Sequence, residues 1–146
     1  MKIYILGSNV FMHQMVEVTD KLIVMGIDAH IAEHYRELVA GTSKVQDLLK
    51  NNENIELKKV MDTFRLHYKN ILESDAILIV NDTKNGIENY IGGNVLIEIG
   101  QAYVNNKKIF FLNKMPTDKS ITYLDEIYAL QPICLEGNLE NIKKYI

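Results

Sequence analysis

The residue of this chain most suited to covalent chemistry is Glu98, which follows the adjacent glycines Gly92 and Gly93 in an apolar helical pattern. Adjacent glycines let the backbone approach a ligand closely, since no Cβ atom intervenes. A helical side chain tilts toward the helix N-terminus, so we expect the Glu98 carboxylate to lie near that approach. A half-sheltered carboxylate at this position is stabilised as an anion and can act as a nucleophile or a base.

Glu98 also has a purely structural interpretation, because the helix dipole favours any glutamate near the start of a helix. Gly100 lies inside the same predicted helix, where glycine costs about 1 kcal/mol relative to alanine, so we expect close packing or ligand approach there. Tyr90, beside the glycines, could stack on a flat ring of a ligand or pack over the loop. We favour the functional interpretation of Glu98.

A second polar turn, Gly7-Ser8-Asn9, follows an apolar run and opens a helical pattern. Backbone amides and the helix dipole at such a turn can bind an anion or a hydroxyl group. The turn could equally serve only to cap the helix, through Ser8 or Asn9. It is not the G-x-G-x-x-G dinucleotide fingerprint, and the chain has no Walker lysine.

Five short apolar runs, rich in β-branched residues, predict strands that are buried on both faces of a sheet. Helical stripes alternate with them, and that alternation predicts an α/β fold with a three-layer, doubly wound parallel sheet in the flavodoxin-like, Rossmann-like order 2-1-3-4-5. We expect one domain over residues 1–146. The predicted strands cover residues 3–6, 27–31, 76–80, 109–112 and 133–135.

The clearest helical stripe runs from Leu57 to Leu72 and includes Phe64 and Tyr68, which we expect to be buried. A first stripe ends at Gly26, and the stripe around Glu98 is predicted to begin at an N-capping Asn94. Further helices are predicted over residues 42–50, 122–130 and 139–146, with a loop at 51–54. Residues 33–36 are predicted to form a polar loop, from which Tyr35 or Arg36 could reach a ligand.

The predicted strand order fixes where a ligand should bind. The winding of the sheet reverses between strands 1 and 3, and ligands bind outside the carboxyl ends of the strands at such a point. The loops that meet there are residues 7–9 and 81–94. We therefore expect the site at this crevice.

Composition excludes several classes of protein. The 146 residues carry 16 basic and 19 acidic side chains, a net charge of −3, which argues against nucleic-acid and membrane-surface partners. A single cysteine excludes an intramolecular disulfide and suits the cytoplasm. The four histidines lack metal-binding spacing, so we expect neither a metal nor another cofactor. Arginine is scarce, so we expect backbone amides and hydroxyls to hold any phosphate.

Several segments together resemble the nucleoside 2-deoxyribosyltransferase superfamily, which includes nucleoside 5′-monophosphate N-glycosidases. They are strand 1, Glu73-Ser74-Asp75 with the third strand, the glycine-rich loop, Glu98-Ile99-Gly100-x-Ala102, and Lys107-Lys108-Ile109. The resemblance implies that Glu98 attacks the anomeric carbon of a nucleoside, and it also implies a homodimer or larger homo-oligomer. The residues that it places near the sugar, base or phosphate are Gly7, Ser8, Asn9, Asn81 and Asp82.

The chain departs from this family where the acid that protonates the leaving base is expected. Gly92, Gly93 and Asn94 occupy that stretch, so Asp82 or Glu88 would have to substitute, and we take Asp82 as the second catalytic residue. We expect the glycines, Asn94 and Tyr90 to shape the substrate site. Hydrolysis and transfer remain equally open. The alternatives are a non-catalytic nucleotide-binding or sensing module of the same fold and a protein-binding scaffold.

Overall fold

The structure, a computed structural model, describes residues 1–41 and 62–146. The predicted helix at 42–50, the predicted loop at 51–54 and the first part of the stripe that begins at Leu57 lie outside these residues. Among the described residues, no helix combines the length and the apolar composition that crossing a membrane requires.

Five parallel strands form one sheet in the order β2-β1-β3-β4-β5, which confirms the predicted α/β topology. Each observed strand agrees with its prediction to within one residue at either end. The continuous apolar run of β3 is completely buried, as a strand covered on both faces requires. The strands are β1 (Lys2–Gly7), β2 (Asp28–His30), β3 (Ala76–Val80), β4 (Lys108–Phe111) and β5 (Ile133–Cys134).

In the two described ranges, five α-helices connect or flank the strands. The first ends as predicted, because Gly26 follows its last turn with a φ of +80°, a conformation that glycine adopts without strain. Residues 33–36, predicted to be a loop, instead begin a helix. The helices are α1 (Met12–Val24), α2 (Glu33–Ala40), α3 (Thr63–Leu72), α4 (Gly93–Val104) and α5 (Leu124–Ala129), and 3-10 turns cover Asn9–Phe11 and Leu139–Lys144.

The orientation of α3 differs from the sequence prediction. Phe64, Tyr68 and Leu72 are exposed by 40%, 39% and 43%, whereas His67 and Ile71 are buried. Ile71 belongs to the predicted stripe, but a histidine occupies the neighbouring core position. The prediction was wrong about Phe64, Tyr68 and Leu72 because histidine counts as polar in a hydrophobic pattern, so the pattern favoured the adjacent face of the helix.

The start of α4 also corrects the sequence prediction. The helix begins at Gly93 with Gly92 as its N-cap, so Asn94 lies inside the first turn and does not cap it. The predicted core face is confirmed, since Val95 and Ile99 are buried. Gly100 does not show the expected close packing, because a Cβ atom built on it would meet no described atom within 4 Å.

Strand register determines which side chains share a face of the sheet. Tyr4 of β1 lies beside His30 of β2 and Ile77 of β3, and neighbouring residues in a parallel sheet point to the same side. The Tyr4 hydroxyl contacts α3, which packs against α4, so both helices cover this face. Gly7 lies against Met15 of α1 on the opposite face. Tyr4 therefore points into the space between β1, α3 and α4.

Candidate active site

The side chain of Glu98 extends from α4 toward α3 and is buried inside the protein. The residue is 6% exposed, and its Oε1 lies 3.9 Å from Nε2 of His67 on α3. Sequence analysis expected a half-sheltered carboxylate, and the structure encloses it more completely. The helical stripe explains this position, because Glu98 precedes the core residue Ile99 by one position and follows Val95 by three.

Tyr4 and His67 form a hydrogen bond beside this carboxylate. The Tyr4 hydroxyl lies 2.6 Å from Nδ1 of His67, and Tyr4 is completely buried. Burial, and secondarily the charge of Glu98, raises the pKa of Tyr4 far above its ordinary value. The hydroxyl therefore keeps its proton at neutral pH and is available as a hydrogen-bond donor.

His67 is uncharged at neutral pH. Burial, reinforced by the neighbouring His34, lowers the pKa of His67 to about 4, because a buried imidazolium loses its hydration. The approach of His67 to Glu98 satisfies the distance of an ion pair, but the imidazole carries no charge at pH 7. The Glu98 carboxylate thus faces a neutral ring.

Tyr35 connects these residues to the turn that follows β1. It is 4% exposed, and its hydroxyl donates a 2.9 Å hydrogen bond to Oδ1 of Asn9. Burial and then the charge of Glu98 raise the pKa of Tyr35, so this hydroxyl is also protonated. We refer to Tyr4, Tyr35, His67 and Glu98 as the buried cluster.

Sequence reasoning found only one of the four members of the buried cluster. His67 was set aside because the histidines lack metal-binding spacing. Tyr35 was assigned to a polar loop from which it could reach a ligand, and Tyr4 was regarded as part of an apolar strand. Two sequence features could have revealed Tyr4 and His67. Tyr4 is a tyrosine inside an aliphatic strand, and His67 lies one helical turn before the core residue Ile71. Among the described residues, no group of three or more potential ligands could hold a metal ion.

The residues predicted in the first crevice turn have structural contacts. A Cβ atom on Gly7 would lie 2.9 Å from the carbonyl oxygen of Val80, so the glycine allows β1 to pack against β3. The carbonyl of Ser8 accepts a hydrogen bond from the amide of Phe11, and Lys84 Nζ lies 3.4 Å from Ser8 Oγ. Asn9 is exposed and touches the buried cluster through Tyr35.

Asn81 joins the ends of β3 and β4. Its side chain is fully buried, its Nδ2 donates to the carbonyl of Lys114 at 2.8 Å, and its Oδ1 accepts from the amide of Asn113 at 2.9 Å. Asp82 follows it, and its Oδ1 accepts from the amide of Thr83 at 2.7 Å. These contacts stabilise the loop after β3, and ligand contact by either residue stays a prediction.

The glycine-rich segment packs beneath Tyr90. A Cβ atom on Gly92 would lie 3.3 Å from the Tyr90 ring, so this glycine allows the ring to pack closely against the segment. Lys84 Nζ lies 4.8 Å from the ring centroid, at the distance of a cation–π contact. Gly93 and Asn94 are exposed at the start of α4, and a Cβ atom on Gly93 would meet no described atom within 4 Å.

No protein-family model, curated protein or solved structure matches this chain. The resemblance noted from the sequence therefore stays a prediction, and the chemistry of the site must be argued from its own geometry.

Proposed function

We propose that this protein cleaves or transfers the N-glycosidic bond of a nucleoside or nucleoside 5′-monophosphate, with Glu98 as the nucleophile. The observation that carries the proposal is the position of the Glu98 carboxylate beside the neutral ring of His67 and near two protonated tyrosine hydroxyls. The Glu98 carboxylate lies 3.9 Å from Nε2 of that ring, on a residue that is 6% exposed.

This arrangement fits a two-step reaction with retention of configuration. Cleavage of the C1′–N bond develops positive charge on the sugar, which a carboxylate stabilises and then traps as a C1′–O bond. The base leaves with the electron pair of the broken bond and takes a proton from an acid, for which Asp82 is our candidate. Water or a second base then attacks C1′ and releases Glu98.

Lys84 favours the 5′-monophosphate among the possible substrates. The sequence pattern predicted that only amides and hydroxyls would hold a phosphate. The structure adds a cation, because Lys84 Nζ lies 3.4 Å from Ser8 Oγ in the crevice between β1 and β3. An ammonium group beside a hydroxyl suits a phosphate oxygen.

A non-catalytic nucleotide-binding or sensing module is the second candidate. The observation that favours it is the low exposure of Glu98, since a nucleophile must reach the anomeric carbon of the sugar. Binding of a monophosphate without release of base would support this candidate.

Base release from deoxynucleosides, ribonucleosides and their 5′-monophosphates, followed by chromatography, tests the proposal. We expect release from at least one 2′-deoxynucleoside 5′-monophosphate and none with Glu98→Gln. Unchanged release in that variant would eliminate the role of Glu98, and the absence of release from every substrate would favour the binding module.

We also propose that the protein is a cytoplasmic homo-oligomer. Exposed apolar side chains on α3 and α4 support self-association, since such surface is commonly covered by a partner. Light scattering coupled to size-exclusion chromatography tests this, and a monomer at all concentrations would contradict it. The side chains concerned are Phe64, Tyr68, Ile97 and Tyr103.

A further inference from the structure

We propose that His67 is a positioning residue for Glu98, whose carboxylate it orients through an uncharged Nε2–H, and that Tyr4 fixes the tautomer that makes this possible. The inference rests on the proposed function because Glu98 is taken to be the nucleophile. The hydrogen-bonding arrangement itself can be measured independently of any reaction.

Three elements bring these side chains together. His67 extends from α3 with its two ring nitrogens facing different partners: Nδ1 lies 2.6 Å from the hydroxyl of Tyr4 on β1, and Nε2 lies 3.9 Å from Oε1 of Glu98 on α4. The side chains of His67 and Glu98 are 7% and 8% exposed. The imidazole therefore lies between a hydroxyl and a carboxylate, in surroundings of low polarity.

Electrostatics select one tautomer of this imidazole. A neutral histidine carries one proton, so one nitrogen donates and the other accepts. If Nδ1 carried the proton, the Nε2 lone pair would face the carboxylate, and two electron-rich atoms would be opposed. With the proton on Nε2, the N–H dipole points toward Glu98, and Nδ1 accepts a hydrogen bond from the Tyr4 hydroxyl.

This arrangement orients the carboxylate without neutralising it. A separation of 3.9 Å exceeds a direct hydrogen bond, so the N–H acts as an oriented dipole that a shift of about 1 Å would turn into a hydrogen bond. An imidazolium would instead form an ion pair with Glu98 and reduce the electron density of the nucleophile. An uncharged donor thus suits a carboxylate that must attack carbon.

The groups that surround His67 help to keep it uncharged. His34 and Tyr35 contribute rings from α2, with centroids 6.1 and 6.3 Å from the His67 ring. On the other side of Tyr4, His30 extends from β2, with its ring centroid 4.9 Å from that of the tyrosine. The Glu98 carboxylate lies 3.9 Å from the His67 ring. A proton on any of the three histidines would disfavour a proton on its neighbours.

Nitrogen NMR of the histidine side chains tests the arrangement directly. We expect His67 to show the neutral Nε2–H tautomer from pH 5 to 8. Tyr4→Phe and Glu98→Gln should each weaken the preference for this tautomer. The Nδ1–H tautomer, or protonation of His67 within this pH range, would overturn the proposal.

Two substitutions of His67 test the positioning role in catalysis. The amide nitrogen of glutamine can occupy roughly the place of Nε2, whereas asparagine reaches only as far as Nδ1. We expect His67→Asn to lower kcat about 100-fold with little change in KM, and His67→Gln to recover much of that loss. Equal losses in both variants, or no loss in either, would overturn the positioning role.

Failure of this inference and failure of the proposed function give different results. A wild-type protein that releases no base from any substrate, but shows the Nε2–H tautomer and its dependence on Tyr4 and Glu98, would refute the function and support the arrangement. Base release that depends on Glu98, together with the opposite tautomer, would support the function and refute the role of His67.

Discussion

The buried cluster and the crevice at the carboxyl ends of the strands differ in how their polar groups are used. In the crevice, the side chain of Asn81 joins the ends of two strands, and Gly7 makes room for strand packing. In the buried cluster, Glu98 and His67 approach each other without forming a direct hydrogen bond. The difference teaches that polar side chains at a switch point can serve the scaffold, while the groups suited to chemistry lie between β1, α3 and α4.

Replacement of the buried carboxylate should give the largest effect. Glu98→Gln keeps the shape of the side chain but removes the nucleophile, so we expect kcat for base release to fall at least about 1,000-fold. Thermal unfolding should show that the variant is still folded. The matched control is Glu126→Gln, which alters an exposed carboxylate on α5 and should change kcat by less than about twofold.

Loss of the Asn81 side chain, which joins the ends of β3 and β4, should reduce the stability of the protein more than its catalysis. Asn81→Ala leaves the amide of Asn113 and the carbonyl of Lys114 without their partner, so we expect the free energy of unfolding to fall by about 3 kcal/mol. Urea denaturation measures this. Asn105→Ala, which removes a bond to the last turn of α4, should cost less than about 1 kcal/mol. A stable but inactive Asn81→Ala would place catalysis in the crevice.

Acid should destabilise the protein through the buried cluster. The folded-state pKa of His67, about 4, lies below its ordinary value of 6.5, so the unfolded chain binds more protons at intermediate pH. The contribution to stability is complete above pH 6.5 and is lost as pH falls toward 4. We expect a loss of about 2 kcal/mol between pH 7 and pH 5. Urea denaturation of His67→Gln should show a flatter profile, and identical profiles would contradict the assignment.

Replacement of Lys84, the cation in the crevice, should give the smallest effect. Lys84→Met removes the ammonium group beside Ser8, and we expect kcat/KM for a nucleoside 5′-monophosphate to fall about tenfold, with no change for the nucleoside. Steady-state kinetics with both substrates checks this. Equal losses for the two substrates would assign Lys84 to the packing of Tyr90 instead.

The fold could be predicted from the sequence because it depends on periodicity. Continuous apolar runs such as residues 76–80 are required in a strand with both faces covered, and the alternation of strands and helices leaves few topologies. The start of α4 was not predicted correctly, because Gly92 caps the helix through its backbone conformation and no side chain takes part.

The candidate site could be predicted only in part. Glu98 was found because its position in the helix and its neighbouring glycines are local features. Tyr4, Tyr35 and His67 were missed because their contacts span 26 to 63 residues along the chain, and hydrophobic patterns do not report such pairings. The position of His67 one helical turn before Ile71 indicates burial, but it does not report the contacts with Tyr4 and Glu98.

The central claim is that Glu98 forms a covalent bond with the sugar of its substrate. Incubation with a 2′-fluoro-2′-deoxynucleoside 5′-monophosphate, which slows release of the sugar, followed by peptide mass spectrometry, tests this most directly. We predict a glycosyl adduct on Glu98 that is missing in Glu98→Gln. An adduct on another residue, or base release with no adduct on Glu98 at any time, would contradict the claim.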